Sequence, residues 1–408
     1  MRPSDSIGTL AFAVAAAALL GSPAHAAEPI DGVKFTPILD ARARVESVDQ
    51  GGLEAEAVTF RLRGGAEAKA GRWSVLAEAE ATLAAINDYN AFPFVTDDDQ
   101  RRPQFAVISD PRNLELNRLQ LQYKTPGFAL TAGRQRINLD DQRWVGSVGW
   151  RQNEQTFDAV RAEGKAGGVT ADLTYAISQR TIFGEEAGKR TAFRGDFLFA
   201  GLGAKLGPVD ARVFSYVLDY GEDAVLANSS QTYGAIGSSA IPLGPKNKLA
   251  LRASYARQSD HADNPFDYAA DYWAFEGSTK LAGFALAAGW EKLGSDNGRA
   301  VQTPMATLHK FNGWADLFLS TPPAGLQDAY VSVGKTFASV PALPGLDAQI
   351  VFHQFDSARG DMEYGTEWDA SIGFKRGKLG MLLKFANYDA RDFGSDTRKL
   401  WLQAEWAY

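Results

Sequence analysis

From Phe35 onward this chain alternates apolar with polar or small side chains in runs of about ten residues, each closed by a turn or a loop. Period two means extended strands with two unlike faces, and it excludes a helical body. Leu39, Ala41, Ala43 and Val45 share one face, and Asp40, Arg42, Arg44 and Glu46 the other. The same division recurs at Val58, Phe60 and Leu62 against Thr59, Arg61 and Arg63, and at Leu119, Leu121 and Tyr123 against Arg118, Gln120 and Gln122. Strands of soluble sandwiches run to about five or six residues. Runs of about ten match the 9 to 11 of a tilted membrane-crossing strand.

The connections sort into two kinds. Tight ones occur at 70–72, 125–127, 165–168, 207–208, 282–283 and 376–378. Long polar ones fall between them, at Asn87 to Leu114, Asn138 to Gln155, Gln179 to Phe193 and Ser357 to Thr366. Short turns on one side and long loops on the other are the mark of an outer-membrane barrel, with the short turns periplasmic.

Hydrophobic residues make up 45% of the chain and the net charge is -7, values that by themselves would suit a soluble protein. Residues 1–26 stand apart. Arg2, an apolar run from Ile7 to Leu20 and then Ala24-His25-Ala26 are expected to be a secretory signal peptide, leaving 27–408 as a single barrel domain. Past it, nothing reaches the roughly 20 apolar residues of a spanning helix. The chain has no Cys, and His261, His309 and His353 lie far apart, so neither a metal site nor any other cofactor is expected. Without HExxH, GxSxG or a phosphate-cradling loop, no catalytic residue is nominated, and no nucleic-acid partner is expected.

Pattern reading gives nineteen candidate strands, an odd number, whereas bacterial single-chain barrels have an even one. With both ends periplasmic, strand directions agree only if His309 to Leu319 is not a wall strand. Ser295 to Gln327 then forms one external loop, too apolar around Phe311, Trp314, Phe318 and Leu319 to lie in water. The expectation is all-β: an 18-stranded antiparallel transmembrane β-barrel with short periplasmic turns and longer external loops, some folded into the lumen. His309, Lys310, Trp314 and Asp316 belong to the infolded loop. At the C-terminus, "LWLQAEWAY" alternates to a final aromatic residue and resembles the strand that outer-membrane proteins present to the barrel assembly machinery.

"GRQRINLDDQRWVGSVGWRQNEQTFDAVR" (133–161) concentrates Arg134, Arg136, Arg143, Arg151 and Arg161. It resembles the hallmark segment of the alginate export porin family of the bacterial outer membrane, and "HKFNGWADLFLSTPPAGLQDAYVSVG" (309–334) resembles a second hallmark. The resemblance implies an 18-stranded barrel whose Arg-lined lumen passes an anionic uronic-acid polysaccharide. It also implies functional roles for Arg134, Arg136, Arg143, Arg151 and Asp158, and it brings periplasmic export partners and outer-membrane lipid into view.

The residues themselves make a parallel case. Charge facing lipid costs about 2–4 kcal/mol for Arg at the bilayer midplane, so the polar faces should turn inward. Arg42, Arg44, Arg61, Arg63, Arg118, Arg134 and Arg136 come from sequential strands and should form a cationic lumen sector, with Arg143 and Arg151 in the 138–155 loop above it. Guanidinium offers carboxylate a bidentate fork. Asp40, Glu78, Glu80 and Asp158 could instead pair with these arginines as wall salt bridges. Arg134, Arg136 and Asn138 share parity, but so do Leu130 and Ala132, and Asp158 and Arg161 have opposite parity, so a bulge is expected. The function expected is passive passage of an anionic saccharide; the alternative is an uptake porin for small anions such as sugar acids.

Overall fold

A computed structural model describes residues 32–245, 247–338 and 340–408; the expected signal peptide lies outside the described residues. Among these, 18 antiparallel strands form one closed sheet. They are β1 (Val33–Gln50), β2 (Leu53–Ala70), β3 (Trp73–Asp88), β4 (Asn113–Thr125), β5 (Phe128–Gln135), β6 (Thr156–Ala166), β7 (Val169–Arg180), β8 (Ala192–Leu206) and β9 (Val209–Tyr220). The circuit continues with β10 (Ser230–Pro242), β11 (Lys248–Asp260), β12 (Ala269–Leu281), β13 (Phe284–Leu293), β14 (Leu326–Phe337), β15 (Leu346–Asp356), β16 (Glu363–Arg376), β17 (Leu379–Ala390) and β18 (Thr397–Ala407). Each strand pairs with the next in sequence. Asp40 to Gln50 of β1 against Thr397 to Ala407 of β18 closes the ring.

The alternation reads directly as geometry. On β18, Leu400 and Leu402 are 46% and 47% exposed on the outer wall, while Trp401 between them is fully buried inside. Outward aromatics near the short turns include Phe35, Trp73 and Phe128, and near the long loops Tyr175, Tyr233 and Trp273, the two girdles of a membrane barrel. Segment 309–319 is no wall strand, as the even count required; it lies in the 294–325 connection, which carries a two-residue hairpin and a single turn at Leu308–Lys310.

Two connections meet across the lumen, and a third, 89–112, packs Phe92 and Ile108 on inner-wall Val48, Ala55 and Ala57. Ile137, Leu139 and Trp144 of the β5–β6 connection join one apolar cluster with Phe157, Phe199 and Phe214 on the inner wall and with Met305, Ala315 and Phe318 of the 294–325 connection. A sector of wall from β6 to β9 therefore carries apolar side chains on both faces, and that gives the loops something dry to pack on. Phe157 and Phe199 meet edge to face at 6.0 Å.

β5 spans 8 residues, fewer than half those of β1. Its exit is set by Gly133, at φ +113°, where a Cβ would sit 2.3 Å from the Leu119 carbonyl oxygen. Arg136 thus belongs to the infolded connection rather than to the strand.

Candidate functional site

The wall arginines of β1 and β2 do not line open water. Arg42, Arg44, Arg61 and Arg63 are 8%, 1%, 2% and 6% exposed. Arg42 donates to the carbonyls of Gly149, Trp150 and Arg151 at 3.1–3.2 Å and to Glu405 at 3.1 Å. Arg44 reaches Asp110 at 3.3 Å and lies over the Trp150 ring, 4.2 Å from its centre. Arg61 pairs with Asp40 and Glu405, and Arg63 with Glu80 and Glu154. Alternation placed all four on the inner face correctly. The expectation that they form part of the solute path is corrected, because all four are buried: Arg42 and Arg44 hold carbonyls of the β5–β6 connection and Arg63 its Glu154, while Arg61 is paired within the wall. At the loop's other end Arg143 pairs with Glu291 of β13 at 2.8 Å and with Asn312 at 2.9 Å. One connection thus bridges two distant sectors of the wall.

What faces water is a second tier. Glu78 accepts from Arg118 at 2.6–2.9 Å and from Arg136 at 3.2 Å, and Glu154 accepts from Arg136, from Asn117 at 2.6 Å and pairs with Arg63 at 3.3 Å. The Glu78 and Glu154 side chains are 1% and 2% exposed, whereas Arg118 and Arg136 above them are 15% and 30% exposed. Carboxylates beneath and guanidinium groups on top present a cationic surface to a solute, even though the pairs are formally neutral.

The 294–325 connection is pinned at one hub. Asp316 meets Arg151 at 2.8 Å, Lys399 at 3.3 Å and His309 Nδ1 at 2.7 Å. His309 stacks on Trp150, 4.4 Å between ring centres, and its Nε2 lies 2.7 Å from Lys384 Nζ. Burial pushes His309 down to about 3, assisted by the neighbouring Lys384 and Arg151 against the pull of Asp316. Burial alone would raise Asp316, but His309, Lys399 and Arg151 hold it well below the usual carboxylate range. Arg151 is raised: burial opposes its charge, and Glu46, Asp316 and Asp110 more than offset that. Backbone amides of Trp314 and Ala315 donate to Asp369 at 3.2 Å and Glu367 at 2.7 Å. Gly313, at φ +82°, allows this approach, since a Cβ there would lie 2.3 Å from a Glu367 oxygen. Lys310 donates to the Asp141 carbonyl at 2.8 Å, and Lys384 lies 3.7 Å from the Trp314 ring centre. All four residues expected in the infolded loop are therefore inside the lumen.

Arg134 and Asp158 are placed differently from expectation. Register sets Arg134 opposite Leu119 and Asp158, while Gln135 and Phe157 face inward, 3% and 0% exposed. Leu119 is 47% exposed on the outer wall, so the Arg134 to Asp158 pair, at 2.9 and 3.3 Å, is outward too. Arg134 also donates at 2.9 Å to the Leu116 carbonyl, on the edge of β4 that β5 leaves unpaired. The expected bulge is real but sits on β7, where the pairing with β6 skips Ile177. Arg161 faces inward and pairs with Asp172 and Glu163. Replacing Arg134 and Asp158 together by Leu should leave ion selectivity unchanged and thermal stability equal or higher. Arg134→Leu alone should cost on the order of 1 kcal/mol, because it leaves a carboxylate facing lipid. Heat-modifiability on SDS gels checks both.

Alongside the second loop lies a cavity of about 360 Å³ lined by Arg252, Lys310, Asp141, Glu276, Asp328 and His353 among others. Glu154, Glu291, Glu367, Asp369 and Lys384 carry the site but were not singled out from sequence. Strand parity could have placed the last four inward, but nothing local says which loop atoms they meet.

Residues 48–179 match the model of a family described as alginate export, the family that segment 133–161 resembles. No curated protein matches the chain. Among solved structures, OccAB4 of Acinetobacter baumannii superposes with a TM-score of 0.72 at 12% identity, over 93% of this chain and 100% of that one. The outer membrane protein OpdK of Pseudomonas aeruginosa gives 0.69 at 14%, over 92% and 98%, and OpdO of the same organism 0.69 at 17%, over 92% and 97%. OpdK has also been solved with vanillate. The fold is thus that of these outer-membrane barrels.

Proposed function

We propose that this chain, whose residues 48–179 match the alginate export family, is a passive outer-membrane channel for an anionic uronate saccharide. One observation carries the reading: buried Glu78 and Glu154 lie beneath the more exposed Arg118 and Arg136, so the surface offered to a solute is guanidinium. Forked donors suit carboxylates repeated along a uronate chain. Because each guanidinium already has an internal carboxylate partner, a passing carboxylate competes for it and binds weakly, and conduction requires binding weak enough to leave. The channel moves solute without a chemical step.

Planar-bilayer recording tests this. Anions should carry most of the current, and oligogalacturonate should block it; cation preference or absence of block overturns the reading. A second reading, uptake of small organic anions, is favoured by the narrowness that two infolded loops impose and by the carboxylate, vanillate, held by the similarly folded OpdK. Block by monomeric uronate alone would select it.

A further inference from the structure

Lysine recurs at the penultimate residue of six of the nine strands that run toward the short turns: Lys69, Lys124, Lys165, Lys205, Lys280 and Lys375. Lys34 faces Lys69 across β1 and β2, and Lys248 opens β11. The pattern is not confined to sequence. Lys34 shares parity with the inward Arg42 and Arg44, Lys69 with Arg61 and Arg63, Lys205 with Phe197 and Phe199, and Lys375 with Glu367 and Asp369. All eight are exposed. They form a collar on the lumen side of the short-turn mouth, away from lipid.

The contrast with the constriction is sharp. There, every arginine discussed above has a carboxylate partner; for Lys34, Lys69, Lys124, Lys165, Lys205, Lys248 and Lys375 no ion pair is found among the described residues. The opposite mouth has the opposite sign: Asp223, Asp263, Asp267, Asp361, Asp392 and Asp396 are exposed in four different long loops. The barrel therefore has an axial charge asymmetry, positive at the periplasmic end and negative outside.

Resting on the anion-channel reading above, we propose that the lysine collar is a capture ring for a flexible polyanionic chain arriving from the periplasm. Alternate strands lie about 10 Å apart, so a single small anion meets one lysine at a time, whereas a chain with repeating carboxylates spans several. A hydrated ammonium on a flexible stem offers charge without the geometric demand of a fork, which suits recruitment better than tight retention. The acidic outer mouth repels the same chain, so capture is one-sided.

The test uses the full-length barrel inserted with known orientation in a planar bilayer, with tetragalacturonate added to one face at a time in about 0.1 M salt, where charges act over about 10 Å. The blocking association rate should be greater from the periplasmic face. The fourfold variant K69Q/K124Q/K165Q/K205Q should lower that rate about tenfold, the lower end of electrostatic steering, and leave the external-face rate unchanged. At 1 M salt the difference should disappear, and monogalacturonate should show little of it. Single Lys165→Gln, at the exposed end of β6, gives a smaller step in the same direction should the fourfold variant assemble poorly. Equal rates from the two faces, or rates indifferent to the lysines, overturn the capture ring and leave the anion channel standing. Absence of block from either face overturns the channel reading itself.

Discussion

Asp316→Ala should open the pore: single-channel conductance rises roughly two- to threefold and becomes noisy, as the lumen loses its infolded constriction. Asp316 is 4% exposed and is the shared partner of Arg151 and Lys399 from two different elements. Removing it strands the buried Lys399 and takes one of three carboxylate partners from Arg151, which keeps Glu46 and Asp110, and breaking a buried pair in this way costs about 3–5 kcal/mol. That is enough to undock a loop held by a few such contacts, but it spares the wall, whose strands pair independently of the loop. The barrel should stay resistant to SDS while current rises; loss of the folded band together with the current would mean that the hub supports the wall instead. Acid should act in the same direction. His309 titrates at about 3 when docked and near 6.5 when released, so below pH 6.5 the free loop takes up a proton that the docked loop refuses. Docking therefore weakens as pH falls from 6.5 toward 3, by at most about 1.4 kcal/mol per unit. Asp316, also depressed when docked, adds to the loss below about pH 4.

The second large effect concerns sign. Arg118→Gln with Arg136→Gln should turn an anion-preferring pore toward cations, a change on the order of tenfold in permeability ratio, or about 1.4 kcal/mol. Neutralising a solvated arginine would only remove a positive charge. Here it also uncovers Glu78 and Glu154, now 1% and 2% exposed, leaving Arg63 as the cation nearest to Glu154. Reversal potentials in a salt gradient measure it. The matching double Lys variant should keep anion preference while weakening block by oligogalacturonate, separating charge from the fork. Selectivity indifferent to the Gln pair would mean that solutes pass elsewhere in the lumen, such as the cavity beside Arg252 and Lys310.

Much of the fold was legible because a membrane wall forces a period-two code. Strand length, turn asymmetry and even count together assigned 18 strands and removed 309–319 from the wall. Inward facing of Arg42, Arg44, Arg61 and Arg63 followed from parity as well. What parity does not encode is contact across the lumen. Nothing near Arg42 announces that it will hold the carbonyls of residues 149–151, more than a hundred positions away, so a set of loop anchors looked like a conducting surface. Arg134 teaches the reverse. It shares parity with Leu130 and Ala132 as well as with Arg136, so parity left its facing open, and the charge argument and the motif resemblance both pointed inward; the register turns it outward. Where a cationic side chain shares parity with exposed apolar neighbours on its own strand, as Arg134 does with Leu130, those neighbours are the safer guide.

The closing seam between β1 and β18 has a consequence for assembly. Every other wall contact joins strands adjacent in sequence, so each hairpin can form with modest loss of chain entropy. The seam alone joins residues more than three hundred positions apart. Nearly all the nonlocal entropy cost of the barrel therefore falls on one ladder, which should zip last, and a pulling experiment should peel the molecule hairpin by hairpin once that ladder has parted.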